Sequence, residues 1–236
     1  MSSGNEAQMK LQPIVVNLTL KDHVYERLKE AITNLDIYAE DAQLKLDERS
    51  LADQLGISRT PLREAIARLE RDGLLQVVPR KGVFIVRKSL DQILDMIVAW
   101  AALESMAARL ATEAATDDEI ASLRGIATKY DGTSVSARLS EYSDDNIRFH
   151  QRILEISHCG LLKEMADGLF LHMQAVRFRA MREGDRVQRS VVDHAGIIGA
   201  IEARDAELSA RLVREHTMQL HDHVRRTWAR LALPAG

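Results

Sequence analysis

One cysteine, Cys159, stands among 236 residues, so no disulfide closes within the chain and a reducing compartment, the cytoplasm, is expected. Aromatic side chains make up 4% of the chain, too few to supply the stacking platforms of a single-strand nucleic-acid binder. No apolar run is long enough to span a bilayer, since the stretch from Met96 to Met106 is broken by Glu104. The opening residues, MSSGNEAQMK, lack the basic-then-apolar order of a secretory signal, which sets the same expectation of an intracellular chain. Neither charge sign dominates: 32 basic side chains face 35 acidic ones, which argues against nonspecific polyanion binding by the molecule as a whole.

What is present suits a folded chain of one or two domains, with 46% apolar and 28% charged residues. Charge is unevenly spread. Residues 45–88 hold 10 basic and 6 acidic side chains, whereas the part beyond residue 88 has 18 basic and 22 acidic ones. After an expected flexible arm over residues 1–20, Val24, Leu28, Ile32 and Leu35 recur at helical spacing. A polar linker with Glu40 and Asp41 leads to Asp47, which caps a short helix through Leu51, Ala52 and Leu55 until Gly56 stops it. Ser58 opens another, with Leu62, Ile66 and Leu69 as its buried stripe and Gly73 at its end. Residues 74–78 and 83–86, separated by Pro79, Arg80, Lys81 and Gly82, read as a hairpin. Helix, helix, tight turn, helix and hairpin over residues 21–88 is the order of a winged helix-turn-helix.

Beyond it the texture is helical throughout. Ser89 with Gln92, and Thr116 with Glu119, form capping boxes; the cluster from Asp131 to Ser134 ends the second of these helices. Four more helices are expected over 135–157, 160–181, 185–203 and 205–230, giving an all-helical bundle over residues 89–236. The fold class is mainly α, a winged helix-turn-helix followed by that bundle.

A helix entering the major groove needs small or hydrogen-bonding residues at its tip and arginines on its exposed face. Ser58, Arg59, Thr60 and Arg63 meet this requirement, Arg59 and Arg63 standing four apart and opposite the apolar stripe. Arg49 is placed to clamp a phosphate, and Arg80, Lys81 and Gly82 form a basic wing tip. Glu64, Glu70 and Asp72 temper the patch by pairing with local arginines, which implies a modest phosphate footprint and two copies on DNA. In the helical half, Asn146 and His150 lie one turn apart. His194 and His216 are ten residues before and twelve after a turn near residue 204, which brings them to similar heights on an antiparallel pair. Three nitrogens and one oxygen then surround a first-row divalent ion, zinc, nickel or manganese, with positions left for water or ligand. A histidine taken alone is more often a surface or core-edge residue; it is the set that points to a metal.

The stretch from Asp47 to Gly82, Asp-Glu-Arg-Ser-Leu-Ala onward to Ser-Arg-Thr-Pro-Leu-Arg-Glu-Ala, resembles the DNA-binding domain of the GntR family of bacterial transcription regulators. Leu103, Glu104, the Phe149–His150 pair, His194 and His216 resemble its FadR-like branch, whose effector domain is of the FCD type. The resemblance implies DNA contacts at Arg49, Arg59, Thr60 and Arg63, a wing tip at Gly82, and metal ligation by His150, His194 and His216. Two departures stand out. Asn146 replaces the family's aspartate, and Trp100 stands where many relatives carry an arginine near the effector pocket. Trp100 favours a less polar, ring-bearing effector, while Arg148 or Arg177 can restore charge for an organic acid.

The function expected is a metabolite-responsive repressor that binds a near-palindromic operator on double-stranded DNA as a homodimer. Two other classes compete: a metal-dependent enzyme, for which no sequence feature places Glu155 or Glu164 beside the ion, and a DNA-binding domain on a purely structural dimerisation bundle.

Overall fold

The computed structural model describes residues 19–39, 41–127, 139–181 and 186–231. The arm expected over 1–20 falls outside them except for Thr19 and Leu20, as does the Asp131–Ser134 cluster. Helix α1 (Leu20–Thr33) starts where Asp22 Oδ2 accepts from the Thr19 amide and hydroxyl, at 3.0 and 2.7 Å. It buries Val24, Tyr25, Leu28 and Ile32 toward α3 (Arg59–Arg71), whose Leu62, Ala65, Ile66 and Leu69 form the facing stripe. Between them α2 (Glu48–Leu55) is capped by Asp47, which accepts from the Ser50 amide at 2.7 Å. Gly56 then takes a left-handed φ of 64°, the conformation that costs glycine least, and turns the chain into α3.

The hairpin is present as β2 (Leu75–Val78) and β3 (Gly82–Ile85), with Leu75 opposite Ile85 and Val78 opposite Gly82. The polar linker departs from expectation. It contains a third strand, β1 (Lys45–Leu46), antiparallel to β3, so the sheet order is β1-β3-β2. Two residues are too few to show the alternation by which a strand is read.

The remaining described elements are helices: α4 (Leu90–Ala114), α5 (Asp117–Ala127), α6 (Leu139–Ile156), α7 (Gly160–Met181), α8 (Arg186–Glu202) and α9 (Ala206–Leu231). Both bonds of the Ser89–Gln92 capping box form, at 2.9 and 3.3 Å, and Asp205 caps α9 through the Leu208 amide at 2.9 Å. Helix α4 is the central post. Its buried alanines, Ala101, Ala107, Ala108 and Ala111, admit α9 along its length, and Ser105 donates to the Ala210 carbonyl at 2.8 Å. The Thr112 and Ser209 hydroxyls meet at 2.8 Å in the same seam.

Helix α7 joins the two halves. Arg179 Nη1 donates to the Tyr38 carbonyl at 2.6 Å, and Trp228 of α9 adds an edge-on ring contact to Tyr38. His172 packs against Gly73, at the end of α3. Burial, then the Lys88 charge, hold its imidazole below the ordinary value, so it is neutral at pH 7.

The same corner anchors α1. Tyr25 donates to Asp72 Oδ2 at 2.6 Å, and the Arg68 guanidinium lies 3.8 Å above its ring. Burial and then the bond to Asp72 push the Tyr25 phenol up to about 12. Tyr25→Phe is expected to lower unfolding stability by about 1 kcal/mol, the net worth of one hydrogen bond. Urea denaturation checks this, and an unchanged midpoint would assign the corner to packing alone.

Candidate functional site

Helix α3 carries the candidate DNA face. Ser58, Arg59, Thr60 and Arg63 are all exposed at its first turns, and Arg49 on α2 is exposed as well. Pro61 and Leu62 fall on the opposite side, Leu62 fully buried, so core packing aims the arginines outward. Among the described residues Arg59 pairs with no acid, whereas Arg63 Nε donates to Glu48 Oε2 at 2.9 Å. The Arg63 side chain is still 66% exposed, and an exposed pair of this kind is worth at most about 1 kcal/mol. At the wing, Arg80 and Lys81 are exposed and Arg80 takes a left-handed φ of 63°. Gly82 has φ 116°, and a Cβ there would meet the Lys45 side chain at 3.3 Å, so Lys45 of β1 joins the basic wing.

The tempering acids do not pair with arginines of this face. Glu64 meets Lys21 at 3.5 Å, Glu70 accepts from the Val77 amide at 2.8 Å, and Asp72 holds Tyr25. Arg68 is engaged by Tyr25 and Asp22.

In the helical half, α6, α8 and α9 bring His150, His194 and His216 together. One ring nitrogen from each lies within 4.8 Å of the others, and all three side chains are buried. Phe149 stacks on His194 with centroids 4.0 Å apart, and the His194 and His216 rings are 4.9 Å apart. Nδ1 of His150 is bonded to Glu104 Oε1, whose other oxygen accepts from Thr217 at 3.2 Å. Nδ1 of His216 is 2.9 Å from Asp193 Oδ2. A carboxyl on the Nδ1 side of His150 and of His216 orients each ring and favours the tautomer that leaves the lone pair on Nε2, although burial raises the Glu104 carboxyl to about 7.

Nε2 of His150 and of His194 is buried with no hydrogen-bond partner among the described residues. Orphaned nitrogens are costly unless something else binds them. Burial is the main cause that holds His150 and His194 well below the ordinary imidazole value, and it lowers His216 against the opposing bond from Asp193. Three neutral, converging imidazoles backed by two carboxylates are the donor set of a first-row divalent ion, so the residues fit such a group. Asn146 is buried one turn before His150, and its Oδ1 accepts from Ser190 at 3.4 Å.

The expected effector residues separate. Trp100 is buried against His150, ring centroids 5.1 Å apart, and its outer face is covered by the Arg177 guanidinium at 4.4 Å. Arg148 points away: its side chain is 67% exposed and meets Asp145 at 3.4 Å. Arg186, absent from the sequence expectations, is buried beside the triad and acts electrostatically on all three histidines. The spacing Arg186, Ser190, His194 puts it on the histidine's own face, as Tyr142, Asn146, His150 does on α6. That stripe is the signal by which it is legible.

Residues 20–85 match the family described as bacterial regulatory proteins, gntR family, and residues 95–230 match the FCD domain. The HTH-type transcriptional repressor RspR of Escherichia coli K12 is 23% identical over 76% of this chain and 79% of its own. The Nta operon transcriptional regulator of Aminobacter aminovorans is 30% identical over 76% of this chain and 84% of its own. Among solved structures, E. coli McbR/YncC superposes with a TM-score of 0.72 at 23% identity, over 91% of this chain and all of that one. These relatives are regulators rather than enzymes, and no described helix is long and apolar enough to cross a membrane. With a helix-turn-helix and wing before it and the helical domain matched over more than half its length, the chain belongs to the gntR family of DNA-binding transcriptional regulators, in the branch that carries an FCD domain.

Proposed function

We propose that this regulator is a metabolite-responsive repressor, acting in the cytoplasm as a homodimer on a near-palindromic operator, with a divalent ion, zinc, nickel or manganese, held by His150, His194 and His216. The observation that carries the reading is the buried histidine triad, with the Nε2 atoms of His150 and His194 orphaned, linked through α7 to the end of the recognition helix. Asn146 completes the ligand set through its amide oxygen. The ion, when bound, supplies a Lewis-acid anchor for an anionic oxygen of the metabolite.

Helix α7 supports the coupling. Phe170, Met173 and Arg177 are buried on its inner side, while His172 and Arg179 meet the DNA-binding half. A metabolite that favours one seating of α7 shifts the population of recognition-helix arrangements by its difference in affinity for the two. Two copies follow from the DNA side. Ser58, Arg59, Thr60 and Arg63 reach only a few base pairs, and pairing two half-sites multiplies effective concentration and matches duplex symmetry. Arg49, Arg80, Lys81 and Gly82 supply backbone contacts around them. Repression is the simplest outcome of a dimer seated on a promoter, and one relative is named a repressor.

Footprinting with light scattering at fixed salt tests the assembly. Two chains on a protected stretch with dyad symmetry are expected, released by a saturable metabolite that is not turned over. One chain on an asymmetric site, or product formation from the metabolite, would overturn the reading.

A further inference from the structure

We propose that Lys45, on the short strand β1, is a third cation of the wing and meets a phosphate of the DNA backbone. The contacts that the family resemblance implies lie on α2, on α3 and at the wing tip, and none falls on β1. The pleat of the sheet carries Lys45 to the same place. Lys45 is paired with Phe84, and opposite residues of an antiparallel pair share a face, as do Phe84 and Gly82, two apart on β3. The lysine stem runs along that face to the wing: a Cβ at Gly82 would come 3.3 Å from Lys45 Cε. Nζ, one bond further, emerges beside the turn that the Lys81 amide closes on the Val78 carbonyl at 3.0 Å. Glycine at position 82, with φ 116°, leaves the room that the stem occupies.

The charge at this turn is of one sign. Residues 73–90 contain no aspartate or glutamate, and of the four cations there Arg87 donates to the Ile37 and Ala39 carbonyls and Lys88 to that of Gly73. The other two, Arg80 and Lys81, pair with no acid among the described residues, and neither does Lys45. The acids that border the sheet are engaged elsewhere: Asp47 caps α2, Glu48 meets Arg63, and Glu70 accepts from the Val77 amide. Three cations gathered at one turn gain by meeting phosphates, whose condensed counterions they release. A lysine on an edge strand also keeps other chains from pairing with that edge. Strand β1 is two residues long, too short to template a partner, and its lysine stem lies inward across β3, so that role leaves the placement unexplained.

The test measures binding of the full-length protein, across a salt series, to a duplex that the wild type selects from a random-sequence pool and to a scrambled duplex of the same composition. Lys45→Met keeps the stem over Gly82 and removes only the ammonium. It is expected to flatten the slope of log affinity against log salt by about 0.9 for each chain bound, and to weaken both duplexes by the same few-fold factor. Lys45→Gln serves as the second charge-removing variant should Lys45→Met fail to fold. Lys45→Arg is expected to restore the slope. Lys29→Gln, on the side of α1 that faces α7, removes the same charge at a distance and is expected to leave the slope unchanged. A wild-type slope in the folded charge-removing variant, or an Lys45→Arg protein that stays flattened, would overturn the proposal. So would weakening of the selected duplex alone, which makes Lys45 a reader of bases, or equal flattening by Lys29→Gln, which makes the effect one of overall charge.

Discussion

Changing His194 to alanine is expected to leave the purified protein without its divalent ion. The triad holds no charged ligand, so its affinity rests on three imidazole nitrogens within 4.8 Å of one another, and removing one leaves two on helices α6 and α9. The loss should exceed the roughly 10–100-fold that removal of an outer-shell partner costs. Glu104→Gln is the graded companion: the amide still reaches His150, but the carboxylate that orients the ring is gone, and affinity should fall by about that 10–100-fold. Elemental analysis of natively purified protein reads both. Thermal shift on adding metal gives a second measure, because an ion that binds only the folded state raises the midpoint by mass action. Full metal retention in His194→Ala would remove the site.

Acid should act on the metal-free protein in a defined direction. His150, His194 and His216 all titrate below the ordinary 6.5 in the folded state, so between pH 6.5 and their folded values the unfolded chain binds more protons. Their contribution to stability is complete above pH 6.5 and drains away as pH falls below it. Glu104, bonded to His150, works against this, because burial raises its carboxyl to about 7 and the folded state holds a proton there that the unfolded chain releases. One carboxyl opposes three imidazoles, so metal-free protein should still unfold at lower denaturant at pH 5 than at pH 7.5, and metal should be released over the same interval.

Elements set by local periodicity and capping are legible in the sequence. Ser89 with Gln92, Asp47 with Ser50 and Asp205 with Leu208 each form the bond their spacing implies, because the partners are three residues apart and need no tertiary information. The strand β1 was not legible, since its two residues pair with Phe84 and Val83 only once the hairpin exists. The same division runs through the site. His194 and His216 were placed together by counting from one turn, which two antiparallel helices convert directly into height. Arg148 and Arg177 could not be told apart that way: which of them faces inward depends on how α6 and α7 rotate against α4, and the answer, Arg177 over Trp100, is a tertiary fact. Arg186 is weakly legible: its four-residue spacing to Ser190 and His194 puts it on the histidine's face, but an arginine at a helix start usually lies on the surface, and its burial beside the triad is a tertiary fact.

Arg59→Ala is expected to weaken specific operator binding by about 1–3 kcal/mol, as loss of a bidentate base contact does. The companion Arg63→Ala should cost less, for a reason that only the three-dimensional arrangement supplies. Arg63 reaches back to Glu48, fifteen residues earlier and across the helix-turn-helix angle, so it must leave that pair to meet DNA. An exposed pair of this kind is worth roughly 0.2–1 kcal/mol, too little to hold the side chain against a phosphate or a guanine edge but enough to subtract from the contact. Glu48→Gln then acts in the opposite direction. It frees Arg63 and removes a negative charge beside the phosphates, so affinity should rise by a few-fold, most at low salt where such charges are least screened. Titrating the three variants on one operator fragment, at two salt concentrations and with folding verified, distinguishes this ordering from two alternatives. If Arg59→Ala binds as wild type does, the recognition helix reads DNA with other residues. If Glu48→Gln weakens binding, the Arg63–Glu48 pair positions the arginine for its contact instead of competing with it.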